Sequence, residues 1–190
     1  EPVAPGSYVK KARVSSGATG VATKKPEYIL NLEASTVLKH ILEGKGYKVI
    51  MTRESHDVNI SNSERAIFAN NNKADMVVRV HADSLNNPGK TGASILIPAK
   101  ESKYTTAIYE DSQNCANLIS SKMKEAGIKV NGVFERGDLT GFNWSQVPVV
   151  LVEMGFLSNY TEDQMMSNPE YQTKLMQAIS DGLDEYFANK

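Results

Sequence analysis

The chain has 190 residues, of which 41% are apolar, and its 21 basic and 22 acidic side chains leave a net charge of −1. That length favours one domain with a real core, and the near-neutral charge gives no reason to expect nucleic acid as a partner. No apolar run approaches the length that crosses a membrane. The one cysteine, Cys115, excludes an intrachain disulfide.

The first 25 residues are interrupted repeatedly by proline, glycine and serine, and they predict an irregular leader. A leader of this length without secondary structure is unusual in a compact domain and often has a function.

From Pro26 onward, helical and strand patterns alternate along the chain. The patterns predict helices over 26–44, 61–73, 104–126 and 169–187, and strands over 47–53, 76–81, 93–99 and 148–153. The strands are continuous runs of valine, isoleucine and leucine, which is typical of buried parallel strands. The sequence therefore predicts a single α/β domain with a mixed, mostly parallel sheet and helices on both faces.

Ligands of open α/β sheets bind at the carboxyl ends of the strands. Two predicted strands end there on His81 and Glu153, and the loop after a third contains His56. Glu27 opens a helix, and helix starts lie on the same edge of the sheet. Each of these residues also has a purely structural alternative. His81 could be an ordinary capping or core residue, and Glu27 could only complement the helix dipole. For Glu153 a functional role is favoured, because it directly follows five apolar residues and a carboxylate is rarely buried without a partner.

Two chemistries fit a histidine with carboxylates. One is a zinc site, since a catalytic zinc takes about three protein ligands and a water. The other is metal-free acid–base catalysis by Glu153 and His81. A serine hydrolase is less attractive because the chain has no G-x-S-x-G elbow, and nucleotide binding has no support because no G-x-G-x-x-G or P-loop is present.

Four segments carry a resemblance to a known family. In chain order they are KPEYILNLEAS, GYKVIMTRESHDVNISNSERAIFAN, ADMVVRVHADS and VPVVLVEMGFLSNYTED. Their order and spacing resemble the zinc-dependent N-acetylmuramoyl-L-alanine amidases of type 3, which are bacterial cell wall hydrolases. The stretch ERGDLTGFNWSQVPVVLVEMGF is most similar to clostridial members.

The resemblance implies roles for the residues at the sheet edge. Glu27 and His81 would be ligands of Zn²⁺, and Glu153 would be the catalytic general base. The reaction would be hydrolysis of the amide bond between N-acetylmuramic acid and L-alanine in peptidoglycan. The binding partner would be peptidoglycan glycan strands that carry stem peptides. The enzyme would be a secreted monomer that acts outside the membrane, in the cell wall.

One departure from the family pattern concerns the metal site. The family's first zinc ligand is a histidine in a D-P-G-H motif that ends the first strand, and this chain has no such motif. We therefore expect that the first strand and its histidine lie upstream of Glu1, that the domain spanning 1–190 is incomplete at its amino terminus, and that zinc is absent or incompletely coordinated here. Two alternatives stay open: His56 substitutes as the third ligand, or the chain is a non-catalytic relative that binds peptidoglycan.

The segment DLTGFNW, residues 138–144, directly precedes the strand that ends on Glu153. If it is exposed, Phe142 and Trp144 would line the substrate groove and stack on sugar or peptide. Ordinary core packing of these two aromatic side chains is the alternative.

Overall fold

The computed structural model describes every residue from Glu1 to Lys190. The helices are α1 (Glu27–Gly44), α2 (Asn62–Asn71), α3 (Tyr109–Glu125), α4 (Thr140–Asn143), α5 (Tyr160–Met166) and α6 (Pro169–Ala188). The strands are β1 (Val77–Asp83), β2 (Ala93–Pro98), β3 (Val130–Arg136) and β4 (Val149–Phe156). No helix is both long and apolar enough to cross a membrane.

The four strands form one mixed sheet in the order β1-β4-β2-β3. β1 runs parallel to β4 and β2 runs parallel to β3, whereas the central pair β2 and β4 is antiparallel. The predicted α/β class with a mixed, mostly parallel sheet is therefore confirmed.

Alternating residues of β4 face two separate hydrophobic clusters. Val150 and Val152 belong to the large core, which the long helices α1, α3 and α6 complete. Val149 and Leu151 belong to a small cluster on the opposite face, together with Phe142 of α4. Because side chains alternate along a strand, the residue after Val152, Glu153, lies on the face of the small cluster.

Local sequence signals explain where the helices begin. Pro26 precedes α1, and its fixed φ suits the entry to a helix. Ser61 and Glu64 form a capping box at the start of α2, in which each side chain accepts a hydrogen bond from the other residue's backbone. Asn168 caps α6, and Pro169 follows as its first residue.

One strand prediction is wrong, and one strand was missed. Residues 47–53 form no strand, although their alternating apolar pattern predicted one, because no neighbouring strand offers them a hydrogen-bonded ladder. β3 was missed, because Gly132 interrupts its pattern and Phe134 is 46% exposed at the edge of the sheet. The short helices α4 and α5 were also missed.

The leader is irregular as predicted, with only isolated bridges between Pro2 and Lys10 and between Thr19 and Pro26. Its first residues pack on the body of the domain, where the indole nitrogen of Trp144 donates to the Pro2 carbonyl at 3.0 Å. The later part of the leader brings Ala18 to the start of α1.

Candidate active site

The register of the parallel pair β1 and β4 places His81 opposite Glu153. Neighbouring strands lie about 4.8 Å apart, so the two side chains emerge side by side near the carboxyl ends of their strands. Arg79 lies two residues before His81 and shares its face of the sheet. The sequence prediction that these strand ends meet at one edge is confirmed.

The carboxylate of Glu27 meets His81 at the start of α1. Its Oε1 lies 3.0 Å from His81 Nδ1 and accepts a hydrogen bond from Asn31 Nδ2 at 3.1 Å, while Oε2 accepts from the backbone N–H of Ala18 at 3.1 Å. Burial opposes ionisation of this carboxyl, but the hydrogen bonds and the imidazole outweigh burial and lower the pKa of Glu27 to about 2. Glu27 is therefore a carboxylate at any physiological pH.

His81 keeps 35% of its side chain exposed, so one part of the ring faces the edge of the sheet. Partial burial lowers the pKa of His81 below its usual value, although the contact with Glu27 opposes this effect. A carboxylate can only accept, so Nδ1 carries the proton in this contact and Nε2 bears the lone pair of the neutral ring.

Glu153 has the opposite electrostatic environment. Its Oε2 is buried and has no hydrogen-bond partner. Burial raises the pKa of Glu153 to about 8, and the carboxylates of Asp83 and Glu27 add to the effect, while Arg136 and Arg79 only partly oppose it. A carboxyl group with a pKa this close to neutrality can both accept and return a proton during one reaction.

The site offers two donor groups that suit a metal ion, the Glu27 carboxylate and the His81 imidazole. Catalytic zinc takes three protein ligands and a water, and nowhere in the structure do three His, Cys, Asp or Glu side chains come close enough together to hold a metal. His56 does not complete the set, because it contacts the Tyr28 ring and Arg53 instead. The structure therefore does not bring His56 to Glu27 and His81, and its role as a substitute ligand stays a prediction.

Comparison with known proteins identifies the family. The family described as N-acetylmuramoyl-L-alanine amidase, Amidase_3, matches residues 11–185, which is nearly the whole chain. The chain belongs to this family.

Individual relatives agree with the family match. The probable cell wall amidase LytH of Staphylococcus saprophyticus is 28% identical over 166 residues, which are 87% of this chain and 51% of LytH. The chain thus spans about half the length of the LytH relatives that it matches.

Solved structures of amidases share the fold. The amidase Ami1 from Mycobacterium smegmatis superposes with a TM-score of 0.90 at 24% identity and covers 100% of this chain and 88% of its own. An N-acetylmuramoyl-L-alanine amidase from Clostridium difficile 630 has a TM-score of 0.82 at 27% identity and covers 93% of this chain and 91% of its own. Clostridial proteins are therefore among the structural neighbours.

The two aromatic residues predicted to bind substrate both pack against other parts of the chain. Phe142 is 0% exposed and packs in the small cluster with Ile108, Val149 and Leu151. The expectation that its segment is exposed is wrong, because α4 is buried from Thr140 to Asn143. Trp144 is partly buried and uses its indole N–H on the leader. The structure thus gives both residues a packing role.

Sequence reasoning missed several members of the site. Asn31 lies one helical turn after Glu27, and the i, i+4 spacing could have indicated their contact. Asp83 follows His81 by two residues, so alternation along the strand places it on the same face. The role of Arg136 near Glu153 had no local signal, because it depends on the position of β3.

Proposed function

We propose that this domain hydrolyses the amide bond between N-acetylmuramic acid and L-alanine in peptidoglycan, with Glu153 as the proton-transferring group. The observation that carries the proposal is the buried Glu153 carboxyl, whose Oε2 lacks any partner beside the Glu27–His81 pair. Membership of the amidase family names the substrate class, and the relatives include a probable cell wall amidase.

Glu153 has the properties that amide hydrolysis requires of a base and acid. Its carboxylate takes a proton from water, and the resulting hydroxide forms a bond to the carbonyl carbon of the lactyl–alanine amide. When the carbon–nitrogen bond breaks, the protonated Glu153 returns this proton to the leaving amine of L-alanine. A pKa of about 8 suits both steps, because proton transfer is most effective near the operating pH.

We further infer that Glu27 and His81 are two ligands of a Zn²⁺ ion. The donor atoms Glu27 Oε1 and His81 Nδ1 lie 3.0 Å apart, and both would be available to one ion once Nδ1 has lost the proton that it shares with Glu27. These two donors do not complete a catalytic set of three. The steps described above therefore involve only Glu153, water and substrate.

The incomplete donor set favours a second candidate function, a non-catalytic domain that binds peptidoglycan. In this case Glu27 and His81 would form an ordinary hydrogen-bonded pair at the sheet edge, and the raised pKa of Glu153 would have no consequence for turnover.

The two functions differ in whether cleavage creates new amino termini. Purified cell wall sacculi are incubated with the chain, with and without added zinc, and free L-alanine amino groups are counted by dinitrophenylation and mass spectrometry. We expect amino termini to accumulate with the wild type. In Glu153→Gln the rate should fall by at least about 100-fold, which is the typical loss on removing a general base.

Two controls make the result specific. The melting temperature of Glu153→Gln should equal or exceed that of the wild type, because a neutral amide of similar size replaces a buried acid whose charge Asp83 and Glu27 oppose. Glu101→Gln, at an exposed turn, should cleave like the wild type. Binding to sacculi without any release of L-alanine amino groups would support the non-catalytic function instead.

The location and assembly of the protein are also proposals. We propose that the domain acts in the cell wall, outside the membrane, because peptidoglycan lies there and the LytH relative is called a cell wall amidase. We propose that it acts as a monomer, because Glu27, His81 and Glu153 meet at the sheet edge of a single chain.

A further inference from the structure

An aromatic side chain lies exposed on the same face of the sheet as Glu153. Phe134 on β3 pairs with Leu96 on β2, and Leu96 pairs with Leu151 on β4. Paired residues of neighbouring strands point to the same face, so Phe134 shares the face of Leu151 and of Glu153, two residues further along β4. The helix that packs on β3, α3, covers the opposite face, where Val133 contacts the large core. Phe134 is therefore left 46% exposed.

The ring of Phe134 lies over Gly132 of the same strand. A Cβ added at Gly132 would lie 3.1 Å from Phe134 Cζ and 3.4 Å from Cε2, and Gly132 has a φ of 153°. A side chain at position 132 would therefore press on the ring, and glycine adopts this backbone conformation more readily than other residues. The ring thus leans back along β3 and covers the space that a side chain at position 132 would occupy.

Gly132 belongs to one row of residues that crosses the sheet to Glu153. The register pairs Gly132 with Ser94 on β2, and Ser94 with Glu153 on β4. Because neighbouring strands lie about 4.8 Å apart, the ring over Gly132 lies about 10 Å across the sheet from Glu153. The side chain between them in this row is the small, half-buried Ser94. We call Ser94, Gly132 and Phe134 the β3 platform, and it continues directly from the candidate active site.

The β3 platform has the chemistry of a sugar subsite. A pyranose ring has C–H groups on its face and hydroxyl and acetamido groups around its rim, so it suits a flat apolar surface with hydrogen-bonding groups at the border. Phe134 offers the flat surface, and the Ser94 hydroxyl lies at its border. Arg136 follows Phe134 by two residues on the same face, and 43% of its side chain is exposed. The stem peptide has no ring whose face could stack on Phe134.

The distance from Glu153 indicates which sugar would reach the β3 platform. The short lactyl group joins the amide carbonyl to the ring of N-acetylmuramic acid, so that ring lies next to Glu153 during cleavage. A surface about 10 Å away, two strands from Glu153, lies beyond this ring. The next sugar along the glycan strand, N-acetylglucosamine, would therefore meet Phe134.

We propose that Phe134 is the stacking surface of a subsite for the N-acetylglucosamine that neighbours the cleaved N-acetylmuramic acid. This inference deepens the proposed amidase function and rests on it for the orientation of the substrate. The subsite selects glycan strands over isolated muramyl peptides, because the neighbouring sugar gains its apolar contact on the ring of Phe134.

The first test compares substrates with and without neighbouring sugars. The long substrate is a tetrasaccharide of alternating N-acetylglucosamine and N-acetylmuramic acid with stem peptides, and the short one is N-acetylmuramic acid with the same stem peptide alone. Release of L-alanine amino groups gives kcat/KM for each. We expect the wild type to favour the long substrate about tenfold. In Phe134→Ala this preference should fall to less than about twofold, with kcat/KM for the short substrate unchanged.

Substitutions at the same position separate stacking from simple apolar contact. Phe134→Tyr keeps a flat ring and should keep the preference for the long substrate, whereas Phe134→Leu keeps an apolar side chain without a ring face and should lose most of it. A full preference in Phe134→Leu would contradict a stacking role.

Phe68→Ala is the matched control. Phe68 is 38% exposed on α2. Asn70, two residues later, donates to the Trp144 carbonyl and accepts from the Gln146 N–H, just before β4 begins. This part of α2 therefore lies toward the end of β4 that is remote from Glu153. Phe68→Ala should keep the wild-type preference, and an equal loss in both alanine variants would contradict a specific role of Phe134.

A second test measures binding without turnover. The long substrate is titrated into Glu153→Gln by calorimetry, with and without the additional substitution Phe134→Ala. We expect the additional substitution to weaken binding of the long substrate about tenfold and to leave binding of the short substrate unchanged. In saturation-transfer NMR, irradiation of aromatic protons should reach the C–H protons of N-acetylglucosamine, and this transfer should fall when Phe134 is replaced.

Failure of the subsite and failure of the amidase activity give different results. If no amino groups are released but binding by Glu153→Gln still depends on Phe134, the subsite is supported and the domain binds glycan without cutting it. If the wild type cleaves and Phe134→Ala keeps both the preference and the affinity, the subsite is wrong and the amidase function remains.

Two further outcomes would overturn the role of Phe134. A lower melting temperature of Phe134→Ala with an unchanged substrate preference would mean that the ring only protects the Gly132 backbone. An equal loss of affinity for the free peptide L-alanyl-γ-D-glutamyl-L-lysine would mean that Phe134 contacts the stem peptide rather than a sugar.

Discussion

At the scale of single residues, the two carboxylates at the sheet edge differ because their surroundings differ. Glu27 accepts hydrogen bonds from a side-chain amide, a backbone N–H and an imidazole, so its pKa is lowered to about 2. Glu153 has a buried oxygen without a partner, and its pKa is raised to about 8. Two carboxyl groups whose environments move their pKa values apart are suited to different tasks, an anionic ligand and a proton carrier.

The buried thiol of Cys115 gives a prediction at this scale. Burial, with a smaller effect of Asp111, raises the pKa of Cys115 to about 12, and the residue is 0% exposed in α3. At about pH 8 the thiolate fraction is then negligible, and the thiolate is the reactive form. Ellman's reagent should leave the native chain unlabelled and should label one thiol per chain after denaturation in guanidinium. Rapid labelling of the native chain would contradict the buried position.

The residues at strand ends were predictable from the sequence, whereas the loop aromatics were not. His81 and Glu153 follow apolar runs, and the rule that strand ends carry function placed them correctly. Phe142 lies in a short segment whose sequence fits a groove and a core equally well. Its burial depends on Ile108 and Leu151, which reach it only in the folded domain.

At the scale of elements, α5 holds the loop that leads to Glu27. The Asp163 carboxylate is fully buried and accepts from the backbone N–H groups of Ala22 and Thr23 and from the Thr23 hydroxyl, each at 2.7 Å. Gly20 lies against this carboxylate, where any Cβ would overlap it. The same loop brings the Ala18 N–H to Glu27. Asp163 therefore positions one donor of the site from a distance.

Replacing Asp163 with asparagine tests this arrangement. The amide oxygen can still accept from the two backbone N–H groups, but the negative charge is lost and the NH₂ takes the place of the oxygen that accepts from the Thr23 hydroxyl. We therefore expect the free energy of unfolding in urea to fall by about 1–3 kcal/mol. Exchange of residues 18–26 should become faster than in the wild type. The matched control is Asp57→Asn in an exposed loop, which should change stability by less than about 0.5 kcal/mol. A similar small change in Asp163→Asn would contradict the role of the carboxylate.

Helices and strands could be predicted from the sequence where their apolar pattern did not depend on one particular neighbouring strand. The apolar run of β4 is buried by helices on one face and by α4 on the other, so its strand was found from composition alone. Residues 47–53 have an equally good pattern but no hydrogen-bonded partner. A strand is a pairwise structure, and its sequence indicates the potential for pairing rather than the presence of a neighbour.

At the scale of the whole molecule, one close crossing of helices completes the large core behind the sheet. α6 approaches α3 at Gly182, where an added Cβ would lie 2.6 Å from Ile119 Cα and 2.8 Å from Ile119 N. Both atoms belong to a helix backbone that cannot move aside without disturbing the core. The close contact between α3 and α6 therefore requires glycine at position 182, although glycine has a low preference for helices.

Gly182→Ala and Gly44→Ala make the same chemical change in two helices with opposite expected signs. Compared with glycine, alanine stabilises a helix by up to about 1 kcal/mol at either position. At Gly44, the last residue of α1, no atom lies within 4 Å of the added Cβ, so stability should rise by up to about 1 kcal/mol. At Gly182 the overlap with α3 should outweigh this gain, and stability should fall by about 2 kcal/mol, as is typical of overpacking. Urea unfolding measures both changes, and a shift in the same direction for the two variants would show that α3 and α6 do not pack closely at Gly182.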